Sequence, residues 1–167
     1  MSLIPKYEDI VAARRLILAH VHHTPVLSSK QLDTISGASL FFKCENFQKV
    51  GAFKFRGATN AVLNLTEGQR AAGVVTHSSG NHAAALAHAA VSRGVKAYIV
   101  MPTSAPEVKK RAVAGYGAEI TFCEPTLAAR EAAAAEVMAR TGATMIHPYD
   151  NFYIIAGQGT AAMELLA

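Results

Sequence analysis

Three short stretches of this sequence hold residues whose types and spacing can do chemistry. Ser78-Ser79-Gly80-Asn81-His82 follows a short apolar run, Gly73 to Thr76, and opens a helical stretch. Ligands bind at the carboxyl ends of strands in an open parallel sheet. A helix N-terminus there offers unpaired backbone N–H groups and about half a positive charge. Gly80 lets the backbone approach a ligand, and Ser78, Ser79 and Asn81 add short polar groups, so the loop suits a carboxylate or a phosphate. The alternative is that these residues only cap the helix. The second stretch, Gly51-Ala52-Phe53-Lys54-Phe55-Arg56-Gly57-Ala58, sets a lysine between two phenylalanines at a helix start. Desolvation there would lower the amine's pKa and make it a nucleophile toward an aldehyde. Alternatively, Lys54 lies on a polar face with its stem along the aromatics. The third, Gly157-Gln158-Gly159-Thr160-Ala161-Ala162, imitates a dinucleotide fingerprint, but no acidic residue follows about 20 positions on. Close helix packing is an equal reading of these glycines. His20, His22 and His23 sit at a helix end before Thr24-Pro25, with no Cys or carboxylate at ligand spacing, so no metal is expected there.

Composition bounds what these stretches can belong to. Of the 167 residues, 51% are hydrophobic and 17% charged, the reverse of a disordered chain. No apolar run approaches the roughly 20 residues of a membrane span. Met1 to Asp9 is polar and carries Lys6, Glu8 and Asp9, so no secretion signal is expected. Cys44 and Cys123 have no CxxC spacing and read as two buried thiols of a reducing, cytoplasmic compartment. The formal charge of +4 raises nucleic acid as a partner. Against this, the one dense basic run, Lys109-Lys110-Arg111, reads as a solvated helix face, and without Trp or interleaved aromatics there is no stacking platform. An anionic small molecule fits the charge equally well.

The elements that must position these residues show a regular alternation after residue 73. Apolar runs at 73–76, 97–101, 118–123 and 143–147 read as strands, each separated by room for one helix. Their continuous apolar character fits a parallel sheet covered on both faces, an α/β fold. Helices are expected over His82 to Arg93, from Pro106 to about Gly115 or Gly117, and over Leu127 to Thr141 behind a Thr126 cap. Earlier, Tyr7 to Val21 reads as an amphipathic helix, Ser28 as the cap of a short helix closed by Gly37, Leu40 to Cys44 as strand-like, and Phe53 to Leu65 as helical. A last helix is expected from about Ile154. The organisation expected is a small α/β domain at 71–147, with 1–70 and 148–167 as parts of a larger second domain.

Taken together, the stretches resemble the serine/threonine dehydratase and serine racemase family of pyridoxal-phosphate enzymes, fold type II. Glu45-Asn46-Phe47-Gln48-Lys49-Val50-Gly51-Ala52-Phe53-Lys54-Phe55-Arg56-Gly57-Ala58 is similar to the family's cofactor-lysine segment, His77 to His82 to its asparagine loop, and Ile155 to Thr160 to its next signature. The resemblance runs from about His23 to the last residue. It implies that Lys54 holds pyridoxal 5'-phosphate covalently and then takes the substrate Cα proton. It further implies that Phe53 packs beside the cofactor ring and Asn81 bonds the phenolic oxygen. Ser78, Ser79, Asn81 and His82 would serve the substrate carboxylate. The implied reaction is dehydration of serine, threonine or 3-hydroxyaspartate to a 2-keto acid and ammonia.

Ser79 sharpens the resemblance. Threonine deaminases usually carry Ala at this place, whereas serine racemases and hydroxyaspartate dehydratases carry Ser, on the cofactor face opposite the lysine. Lys54 and Ser79 would then be a two-base pair able to racemise as well as eliminate. The sequence departs from the family at Ala83-Ala84, where Gly-Gln or Ala-Gln is common. The family's glycine-rich phosphate loop and divalent-cation (Mg2+) ligands come later than any residue present. The chain is therefore expected to be the N-terminal half of a homodimeric enzyme, or a catalytically incomplete piece acting only within it.

Overall fold

A computed structural model of the chain describes residues 4–167. The part of the leader reading that concerns residues 1–3 lies outside the described residues. The chain opens with α1 (Tyr7–Ile17), then an antiparallel pair, β1 (Val26–Leu27) and β2 (Phe42–Lys43), with α2 (Lys30–Ser36) between them. Two turns of 3-10 helix, Glu45–Phe47 and Lys49–Gly51, lead to α3 (Lys54–Leu63) and α4 (Glu67–Ala72). Strand and helix then alternate through β3 (Val74–His77), α5 (Asn81–Val91), β4 (Ala97–Pro102), α6 (Glu107–Gly115), β5 (Glu119–Cys123), α7 (Leu127–Thr141) and β6 (Thr144–Met145), closing with α8 (Phe152–Leu165).

β3 to β6 form one parallel sheet in the order β5-β4-β3-β6, with Val75 level with both Tyr98 and Met145. Alternate residues of the central strands enter two cores. Val74, Ile99 and Met101 pack with residues of α3, α5, α6 and α8, including Phe55, Leu86, Val113 and Ile154. Val75, Tyr98 and Val100 pack against Ala134 and Val137 of α7. Both faces being covered is the physical reason these strands read as unbroken apolar runs. Among the described residues, no helix is long and apolar enough to cross a membrane.

Local structure differs from the sequence-based expectation in several places. The first strand is shifted by one residue and takes in His77, which is buried. The last strand shrinks to two residues, because the chain leaves the sheet at Ile146 toward Pro148. α1 ends at Ile17, although Val21 still reaches the core. Ser29, not Ser28, caps α2 by accepting the Leu32 N–H, and Gly37 closes it at a φ of 69°. Leu40 to Cys44 contributes only Phe42 and Lys43 to strand, α4 is an additional helix, and Asn151 starts α8 two residues early. Cys44 and Cys123 are free thiols, half-buried rather than buried.

α3 and α8 cross so closely that glycine is required on both. A Cβ on Gly157 would lie 2.6 Å from the Gly57 Cα, and one on Gly57 would lie 2.7 Å from the Ile154 carbonyl oxygen. This settles the Gly157-x-Gly159 stretch as helix packing: it lies inside α8, and Gly159 faces Ile10 of α1. Beside the crossing, Arg56 is wholly buried between two carboxylates. Its Nε and Nη2 donate to Glu45, and its Nη1 and Nη2 donate to Glu164, all at 2.8 Å. Lys43 adds a second cation, 2.8 Å from Glu164 Oε2.

Two measurements test this packing. Overpacking a tight core costs about 1–3 kcal/mol, so Gly157→Ala should destabilise the protein by about 2 kcal/mol in urea denaturation. Gly68→Ala in α4, where a Cβ would meet nothing within 4 Å, should be neutral or stabilising; equal effects of the two would refute the close crossing. The second test concerns His82, 3% exposed, whose pKa burial pushes down to about 4. Between pH 6.5 and about 4 the unfolded chain takes up a proton that the folded chain does not, so stability falls with falling pH. The loss attributable to His82 approaches about 3 kcal/mol and levels off below pH 4. An NMR titration placing His82 near an ordinary imidazole pKa would refute this.

Candidate active site

Lys54 is the first residue of α3, and the chain reaches it through a strained approach. Val50 has φ 58° and ψ 11°, the left-handed region that a β-branched residue rarely occupies, and Gly51 follows at φ 68°. The approach is held from outside. The Gln48 side chain accepts the His22 N–H at 2.9 Å and donates to the His22 carbonyl at 2.8 Å, and Lys49 Nζ donates to the His20 carbonyl at 2.7 Å. His22 Nδ1 meets the Phe47 carbonyl at 3.0 Å. His20 and His22 thus anchor the segment that presents Lys54.

The Lys54 amine is half-buried and donates to the Pro148 carbonyl at 2.8 Å. Burial pushes its pKa below the ordinary lysine value. Phe53 turns outward, 43% exposed, with its ring centroid 5.3 Å from Lys54 Nζ. Phe55 points the other way, into the core, and stacks on His88. The two phenylalanines therefore do different work, and only Phe53 shares a side with the amine. At the other end of the first turn, the Gln158 side chain accepts the Gly57 N–H at 3.2 Å.

The Ser78–His82 loop stands at the carboxyl end of β3, as expected. The Ser78 N–H extends the ladder to the Val100 carbonyl, and the Ser78 hydroxyl accepts the Gly80 N–H at 3.3 Å. α4, α7 and α8 each start with a side-chain cap, but α5 starts at Gly80 with none. Neither serine nor Asn81 caps the helix, so the capping reading fails and its first N–H groups remain available to an anion. Ser78, Ser79 and Gly80 are half-buried and Asn81 is exposed. His82 is turned inward, its Nε2 3.2 Å from the Ile146 carbonyl. A carbonyl only accepts, so Nε2 carries the proton and the buried Nδ1 is a lone pair without a partner. What His82 offers an anion is its backbone N–H. The charge on Lys54 helps keep the His82 ring neutral, which sets the two sequence stretches beside each other.

Two participants escaped the sequence reading. The Pro148 carbonyl lies 94 residues from Lys54, and no residue type announces a backbone acceptor. Lys109 is exposed, as read, but its Nζ stands 3.4 Å from where a Cβ on Gly80 would be, a proximity the sequence did not show.

Residues 17–167 match the family described as pyridoxal-phosphate dependent enzyme. The chain is 53% identical over 163 residues to the beta-hydroxyaspartate dehydratase of Paracoccus denitrificans, covering 98% of this chain and 52% of that one. It is 55% identical over 158 residues to the serine racemase of Arabidopsis thaliana, covering 95% and 48%. The solved serine racemase of Dictyostelium discoideum superposes with a TM-score of 0.93 at 47% identity, covering 99% of this chain and 53% of that chain. The chain thus spans about half the length of the curated relatives it matches. With the parallel sheet, the amine at the start of α3 and the open loop before α5 in place, the chain belongs to the pyridoxal-phosphate dependent enzyme family and carries part of the fold type II architecture.

Proposed function

We propose that the full-length protein is a pyridoxal-phosphate-dependent dehydratase of small β-hydroxy amino acids that also racemises them. Serine, threonine and 3-hydroxyaspartate are its substrate class, and a 2-keto acid with ammonia its elimination product. One observation carries this reading: the Lys54 amine is half-buried, has lowered basicity, and bonds a carbonyl rather than a carboxylate. Such an amine keeps a reactive neutral fraction, as bonding to an aldehyde requires. The residues present fit the cofactor, with an amine to attach it, an outward Phe53 ring beside that amine, and exposed Asn81 to meet a phenolic oxygen.

When bound, pyridoxal phosphate supplies the electron sink that allows the Cα proton to leave. The remaining work falls to this chain. The backbone N–H groups at the start of α5, with Ser78, Asn81 and the His82 N–H, hold the substrate carboxylate and so orient Cα. Lys54 would hold the cofactor and take the Cα proton, and the Pro148 carbonyl fixes where its free amine waits. Ser79 exchanges the proton on the opposite face, which converts one enantiomer into the other. We assign the small domain to 71–147 and the outer parts, 1–70 and 148–167, to the larger one. Assembly as a homodimer, a cytoplasmic location and a Mg2+ site outside this segment complete the reading. Because the relatives are about twice as long, a second reading is that this segment by itself only contributes the lysine and the carboxylate loop.

Two experiments test the assignment. Borohydride reduction of the full-length protein with pyridoxal phosphate should fix the label on Lys54, and Lys54→Ala should abolish both the label and turnover. A label on another lysine overturns the site. Ser79→Ala should suppress racemisation at least tenfold while dehydration of the L-substrate persists; equal loss of the two would rule out the two-base role.

A further inference from the structure

A cation without a partner stands over the carboxylate loop. Lys109 projects from the start of α6, and its Nζ lies 3.4 Å from the Cβ position of Gly80. Among the described residues its amine makes no hydrogen bond and no ion pair. Its neighbours at this end of the sheet are engaged. Lys110 pairs with Glu107 at 2.8 Å, Lys54 donates to Pro148, and Arg130 Nε donates to the Thr126 carbonyl at 3.3 Å.

Resting on the function proposed above, we infer that Lys109 is a specificity-determining residue that favours β-hydroxy amino acids carrying a second carboxylate, 3-hydroxyaspartate above serine and threonine. The argument is one of charge matching. A single α-carboxylate is already served by the N–H groups and half charge of the α5 N-terminus. With serine or threonine bound, the ammonium of Lys109 beside the same loop has nothing to neutralise. A β-carboxylate, two bonds from the Cα that the loop holds, brings the missing charge within reach of a flexible lysine. With no side chain at Gly80, the amine can lie directly beside the loop, 3.4 Å from where a Cβ would stand. A charge-assisted hydrogen bond is worth about 1.5–3 kcal/mol, or roughly ten- to a hundredfold in affinity.

The test uses the full-length protein loaded with pyridoxal phosphate, with Lys109→Ala and Lys109→Arg. The ratio of kcat/KM for 3-hydroxyaspartate to that for serine should fall about tenfold or more in Lys109→Ala, through KM, and recover largely in Lys109→Arg. Calorimetry with unreactive probes supplies an independent reading: succinate should bind about tenfold or more weakly to Lys109→Ala, and propionate far less affected. An unchanged ratio, an equal loss on both substrates, or equal weakening of the two probes overturns the inference. If the unmodified protein turns over neither substrate, the proposed function fails, and the calorimetry alone decides the role of Lys109.

Discussion

A guanidinium buried between two carboxylates holds this part of the molecule together. Arg56 on α3 bonds Glu45, from the segment after β2, and Glu164, near the end of α8. Lys43 joins Glu164, and the Thr24 hydroxyl donates to Glu45. Two cations thus face two anions in a closed set. Removing such charges from water costs several kcal/mol per ion, which only close geometry and full hydrogen bonding offset. The Arg fork reaches two carboxylates in a way that a Lys point charge cannot. Segments distant in sequence are thereby bound to the one helix that begins with Lys54.

Lys54 lies two residues from Arg56 and meets the opposite treatment. Residues two apart on a helix point about 200° away from each other, so one side chain can enter the core while the other faces the loop. The core side is electrically closed, whereas the site side is left open. Lys54 has a carbonyl and the Phe53 ring but no carboxylate, the Lys109 amine has no partner among the described residues, and α5 has no cap. These unmatched donors and charges lie around one loop at the carboxyl end of β3, where the sheet topology directs ligands. The buried His82 ring stays neutral and adds no charge there.

The geometry at the site is held by elements around it. Val50 sits in a backbone conformation that costs on the order of 1–3 kcal/mol, and it persists because Gln48 and Lys49 are tied to residues 20–22. Gly57 and Gly157 let α8 lie directly on α3, so that the chain after β6 passes close enough for Pro148 to reach Lys54.

Alternation of apolar runs with helical stretches was sufficient to read the parallel α/β unit, since burial on both faces and the length of a crossover are local properties of the chain. Lys54, Phe53, Ser78, Ser79, Asn81 and His82 were legible for the same reason, as each stands in a short motif at an element boundary. The ambiguity of Gly157-x-Gly159 was not resolvable there, because helix packing and a phosphate turn ask for the same residue. Nor did the motif show that His82 faces inward, or that the exposed Lys109 stands beside the loop. The Arg56 cluster, the Pro148 carbonyl and the position of Lys109 were decided only in the tertiary structure. Each joins groups far apart in sequence, and a charge or a carbonyl acquires its partner only when packing brings the two together.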